Sequence, residues 1–160
     1  MKTYVLMLAQ VFPADHPRAG EPTNFEEKVL CGLGKSIGFE PKIHTMRTNY
    51  QYWKDRFDLI DKGEACLSIR KWRGKPYRSE TIEIARLTKE DGIGLQKAII
   101  RIDKKYGVPE LFPENGMCTS VWGGLIATKD GLTPRDWCSW FRNYDLSKPI
   151  AIIHFTSFRY

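Results

Sequence analysis

Apolar residues crowd both ends of the chain and leave alternating or helix-spaced patterns between them. Residues 3–12 carry Val, Leu, Met and Phe on both faces of an extended segment, and so does the closing IAIIHFTSF. Runs of that length without polar alternation read as buried strands. The pattern therefore predicts two interior strands that pair centrally in one closed or nearly closed sheet.

Between these ends the signals change to helical spacing. Thr23 with Glu26 forms a capping box ahead of Phe25, Val29 and Leu33, and the helix dissolves at Gly32 and Gly34. Thr48 and Gln51 can cap a second helix with an apolar stripe of Tyr50, Trp53, Phe57 and Ile60, stopped by Gly63. Residues 64–72 alternate, with Ala65, Leu67 and Ile69 on one face and Cys66, Ser68, Arg70 and Trp72 on the other, as in a half-buried strand. A turn at Gly74–Pro76 leads to a strand over 77–88, and LQKAIIRID reads as another. Residues 107–116 read as a Pro- and Gly-rich loop, and 120–128 as strand. The final helix starts at Thr133, with Pro134 at its first position, Asp136 completing the box, and Trp137, Trp140 and Phe141 facing inward. No repeat or linker interrupts residues 1–160, which read as one domain.

Charge sharpens this picture. The net +6 lies wholly in residues 35–89, where 13 Lys/Arg face 7 Asp/Glu; the remainder is balanced. Such confinement points to one electropositive patch. Its densest part is RKWRGKPYR, where Arg70, Lys71, Arg73, Lys75 and Arg78 stand with no acid among them and with Trp72 and Tyr77 interleaved. Cations that neutralise phosphates beside aromatics that stack on bases are what a single-stranded RNA surface requires.

Other chemistries find little support. GLGKS at 32–36 has Val29 where a phosphate loop needs glycine, and it follows a helix instead of a strand. Cys31, Cys66, Cys118 and Cys138 are too scattered for a zinc site or a disulfide framework and read as reduced core thiols. No metal and no cofactor is expected. The opening apolar run is broken by Gln10 before any small-x-small site and reads as strand, not as an export signal. No stretch approaches the roughly 18 apolar residues of a membrane span, so a cytoplasmic protein with no membrane contact is expected. Of the histidines, His16 falls in a loop, His44 in KIHTMR, and His154 in the last strand, where a satisfied core role fits it.

KIHTMR gathers Lys42, His44, Thr45 and Arg47. On an ideal strand Lys42 and Thr45 would face opposite ways, and they converge only if a turn intervenes near Pro41. The segment resembles the G-x-K-x-x-T-x-R motif of ASCH domains, relatives of the PUA RNA-binding domain, with Glu40 in place of the leading glycine. Similarity continues through GEACLSIRKWRGKPYRS and DGLTPRDWCSWF to the closing strand, over about residues 38–158. The resemblance implies an α+β fold, a PUA-like mixed β-barrel with short flanking helices, and a cleft lined by the motif. It implies binding of RNA or a modified nucleoside, and with the motif's Arg47 the basic hairpin's Arg70, Lys71, Trp72, Arg73, Lys75, Tyr77 and Arg78, read from their composition, are the expected contact residues. In one branch it implies amide hydrolysis on an acetylated cytidine, with Lys42, Thr45 and Asp130 as catalytic residues and Asp where the branch has Glu. Such chemistry needs an enclosed Lys42 within hydrogen-bond reach of Thr45, and Asp130 orienting the hydroxyl or the substrate amine. A protein-interaction module is the remaining alternative, because Trp and Tyr also anchor interfaces.

Overall fold

Eight strands and four helices make up the computed structural model, which describes residues 1–103 and 105–160. In chain order they are β1 (Lys2–Met7), α1 (Phe25–Gly32), β2 (His44–Arg47), α2 (Tyr50–Asp61), β3 (Ala65–Trp72), β4 (Thr81–Leu87), β5 (Gly94–Ile102), β6 (Pro109–Pro113), β7 (Val121–Trp122), α3 (Gly123–Lys129), α4 (Pro134–Phe141) and β8 (Ile150–His154). The architecture is α+β, with the strands in two sheets. One has the order β1-β3-β4, with β1 parallel to β3 and β4 antiparallel. The other has the order β2-β8-β5-β6-β7 and is antiparallel throughout.

The two apolar end strands meet different fates. Every residue of β8 is buried, because β2 and β5 flank it on both sides. By contrast, β1 is an edge strand with Lys2, Thr3 and Val5 exposed, and it belongs to the other sheet. The expected central pairing of the two ends is thus overturned. Apolar letters cannot tell which strand has a neighbour on both sides, and Val5 stays in water because one face of β1 has nothing to cover it. Among the described residues no backbone ladder joins β1 to β2, so the sheets remain two hydrogen-bonded units. A side chain spans the seam instead, with Arg47 Nη2 donating to the Met7 carbonyl at 2.8 Å.

Helix ends show what local signals could decide. Thr133 caps α4 by accepting from the Asp136 amide at 3.1 Å, as its pattern demands. The two other caps differ. Asn49, in the left-handed conformation, caps α2 by accepting from Tyr52 N, in place of Thr48. Asn24 precedes α1 without a capping bond, while the Thr23 hydroxyl donates to the Ala9 carbonyl. The apolar stripes hold: Phe25, Val29, Trp53, Phe57 and Ile60 are buried.

Four further expectations are corrected. Residues 109–113 are strand, since Pro109 and Pro113 sit at its two ends, where a missing N–H costs least. Residues 123–129 are helix, closed by a Schellman turn in which Gly131 N bonds Thr128 O and Leu132 N bonds Ala127 O. Of the cysteines only Cys66 is buried; Cys118 and Cys138 are exposed. Within β3, moreover, Cys66 and Ser68 are as buried as Leu67, so its burial does not alternate.

The core joins residues of both sheets and includes a polar cluster around β8. His154 Nε2 and the Tyr160 amide both meet Gln96 Oε1 at 2.9 Å, and Gln96 Nε2 donates to the Tyr160 carbonyl at 3.2 Å. Because the amide N–H must donate to that oxygen, the carboxamide orientation follows, and His154 carries its proton on Nε2. His44 Nε2 lies 2.6 Å from the Tyr160 hydroxyl, and neither histidine Nδ1 has a partner. Burial pushes His44 well below its ordinary value and His154 to about 3.

Both histidines are therefore neutral in the fold and chargeable once unfolded. Their contribution is complete above the unfolded value, about 6.5, and is lost as pH falls from there toward the folded values. Stability should decline by about 1.4 kcal/mol per pH unit for each histidine below that point. Urea unfolding at pH 7.0, 6.0 and 5.0 tests this against His154→Gln, which keeps a donor and does not titrate. An identical slope in the variant would remove His154 from the account.

Candidate functional site

Lys42 lies just ahead of β2, and the chain there is laced into place from three sides. Its amide bonds the Lys28 carbonyl of α1, while Ile43 bonds the Lys129 carbonyl of α3 and accepts from Phe155 beyond β8. Two glycines let the backbone and the lysine stem approach. A Cβ on Gly32 would fall 2.4 Å from the Lys42 carbonyl oxygen, and one on Gly131 (φ +79°) would fall 3.1 Å from the Lys42 Cβ. Since Lys42 is outside the regular strand, the strand rule that would oppose it to Thr45 does not apply. Thr45 and Arg47, two apart on β2, share a face.

The convergence read from KIHTMR is present. Lys42, Thr45, Arg47 and Asp130 line one cavity of about 120 Å³, walled by Phe25, Trp140, Phe141 and Tyr144 together with Met7, Leu8 and Ala9 after β1. Lys42 and Asp130 are 1% and 3% exposed. Lys42 Nζ donates to Asp130 twice, to Oδ1 and to the main-chain oxygen, both at 2.5 Å, and lies 4.4 Å from the Phe25 ring centroid. The Schellman turn explains the double contact. Asp130 caps α3, so Gly131 can turn the Asp130 carbonyl toward the side that its carboxylate also faces.

Burial pushes Lys42 down and Asp130 up, so each is held in its charged form chiefly by the other. The Trp137 indole approaches the same carboxylate without reaching hydrogen-bond geometry. Arg47 is also lowered by burial. Its Nη1 donates to Thr45 Oγ1 at 3.3 Å and to the Met46 carbonyl at 3.2 Å.

This arrangement alters the expected division of labour. Among the described residues Lys42 makes no hydrogen bond to Thr45, because Asp130 occupies its ammonium. Asp130 in turn orients the lysine and not the threonine hydroxyl, whose partner is Arg47. The geometry is that of a rigid, locked ion pair beside a hydroxyl and a guanidinium.

No family model, curated protein or solved structure matches the chain.

The basic segment 70–78 is the β3–β4 hairpin, and its freedom from acids is a property of the sequence alone. In space, Lys71 pairs with Glu26 of α1, Arg73 lies 3.7 Å from Glu80, and Arg70 bonds Ser68 and Thr81 with Glu83 at 3.9 Å. Lys75 and Arg78 have no acidic partner among the described residues. Trp72 and Tyr77 lie with ring centroids 5.2 Å apart, and Tyr77 is 89% exposed at a left-handed φ of +62°. Between the hairpin and the cleft lies a second cavity, of about 180 Å³, which shares Leu8, Ala9 and Phe25 with the first and is lined by Glu26, Glu27 and Lys71.

Sequence reading missed Lys28, whose Nζ donates to the Gly131 carbonyl behind Lys42, and Tyr144 on the cleft wall. Trp140 and Phe25 were legible as inward-facing, though not as cleft walls. The signal for Asp130 was present in Lys129-Asp130-Gly131, a helix-stop pattern. No group of His, Cys, Asp and Glu among the described residues could hold a metal ion, and no helix there is long and apolar enough to cross a membrane.

Breaking the buried pair should leave one charge uncompensated. Lys42→Met and Asp130→Asn are each expected to cost about 3–5 kcal/mol in urea unfolding, and Lys42→Met with Asp130→Leu to recover much of that. Additive losses in the double variant would show that the two groups act independently.

Proposed function

We propose that the protein binds RNA or a modified nucleoside, with the Lys42–Asp130 cleft as the ligand pocket and the 70–78 hairpin as a flanking basic surface. The observation that carries this reading is the cleft itself. Residues from five separate stretches of sequence meet there, Lys42, Arg47 and Asp130 among them charged, with aromatic walls suited to a planar ring.

The reading carries a PUA-like fold of the ASCH type with it. In that arrangement the two sheets are the halves of a barrel opened at the β1–β2 seam, where Arg47 bonds Met7. The structural role of Arg47 and its place in the cleft would then be one feature.

Hydrolysis of an acetylated nucleoside is the second reading, favoured by one observation: Lys42, Thr45 and Asp130 line the same cavity, and burial moves Lys42 toward neutrality. Against it stands the ammonium locked on Asp130. In this reading Lys42 must first pass a proton to Asp130, so that the neutral amine can then accept one from Thr45.

Fluorescence anisotropy with a short single-stranded RNA tests binding, and release of cytidine from acetylcytidine tests turnover. Arg73→Ala, Lys75→Ala and Arg78→Ala combined should weaken RNA binding and reduce the slope of log affinity against log salt by about 2. Trp72→Ala should weaken it by about 1–3 kcal/mol with the slope kept. Undiminished affinity in both variants would point to a protein-interaction surface. Cytidine release that disappears in Thr45→Ala would establish the hydrolytic reading.

A further inference from the structure

Charge around the cleft does not balance. Lys42 and Arg47 are the two cations that line the cleft, and Asp130 is the one carboxylate among its lining residues. Lys42 absorbs that carboxylate through a direct ion pair. Arg47 is left with neutral acceptors: the Thr45 hydroxyl and the carbonyls of Met46 and Met7. Among the described residues no acidic group lies within ion-pair distance of its guanidinium. Arg18 pairs with Glu21 and Asp136, and Arg86 with Glu83, whereas Arg159, away from the cleft, bonds only carbonyls as Arg47 does.

Arg47 is half-buried, burial lowers it, and Asp130 acts on it only through space, so a site that keeps this guanidinium gains by receiving an anion in direct contact. Arg47 has the means. These bonds occupy three of its five N–H groups, and the remaining ones suit a bidentate oxyanion. The Thr45 hydroxyl, which accepts from Arg47 Nη1, keeps its own proton for a further acceptor in the cleft. Opposite these donors stand the rings of Phe25, Trp140, Phe141 and Tyr144.

Resting on the reading of the cleft as the ligand pocket, we propose that it takes a compact oxyanion carried on a ring, with Arg47 as the residue that meets the anion. Lys42 and Asp130 position the wall and Arg47 selects. A terminal phosphate of a nucleotide has this chemistry, and so does an aromatic carboxylate.

Isothermal titration at low salt with uridine 5′-monophosphate, uridine and benzoate distinguishes the sources. The monophosphate should bind at least tenfold more tightly than uridine, and Arg47→Gln, which retains an N–H for the Met7 carbonyl, should abolish that preference. Tighter binding of benzoate than of uridine, lost in the same variant, would assign the carboxylate source. If Arg47→Gln does not fold, the parent protein still decides. Affinity for the monophosphate should rise between pH 5 and pH 7, as its phosphate ionises near pH 6, while affinity for uridine stays level. Equal affinity for uridine and the monophosphate, with no response to Arg47→Gln or to pH, would overturn the inference and leave RNA binding standing. No binding of any probe, together with no binding of RNA, would remove both.

Discussion

The buried pair of Lys42 and Asp130 constrains everything near it. Two ionisable groups at 1% and 3% exposure are tolerable only if each finds the other, and the chain is arranged so that they do. The lysine backbone is fastened to α1, α3 and the end of β8. Its carbonyl lies against Gly32 and its stem against Gly131, where a Cβ would collide or crowd. The acceptor pair comes from the last residue of a helix whose Schellman turn presents carbonyl and carboxylate together. Loss of either partner would leave a charge stranded where water cannot reach it.

Strand β2 divides two environments. One face carries His44 and Met46 into the core, where His44 meets Tyr160 and the neutral histidine cluster. The other face carries Thr45 and Arg47 into the cleft. The same short strand is thus anchored by apolar packing on one side and free to present polar groups on the other. Arg47 adds a second duty as the link to β1, so the seam between the sheets and the mouth of the cleft coincide.

Electrostatics of the hairpin illustrate why sequence charge and spatial charge differ. Lys71 reaches Glu26, and Arg73 and Arg70 find glutamates on the returning strand. What remains as open surface is smaller and more defined: Lys75, Arg78 and the Trp72–Tyr77 pair. The positive excess that matters for a ligand is divided between that tip and the guanidinium inside the cleft.

Local patterns determined much of this protein. Helical stripes located α1, α2 and α4, because burial of every third or fourth residue leaves its mark on the sequence itself. The Thr133–Pro134 start of α4 and the strand at 94–102 were legible for similar reasons. The candidate site was legible only as residue types: Lys42, Thr45, Arg47 and Asp130 stood out, and the cleft does gather them. Tertiary structure decided the rest. That β1 is an edge strand, that 123–129 is helix, and that the cationic hairpin is partly neutralised all depend on neighbours distant in sequence. Whether Asp130 serves the lysine or the threonine was decided by where the turn at Gly131 meets the Lys42 stem, a meeting of segments 88 residues apart that local patterns do not record.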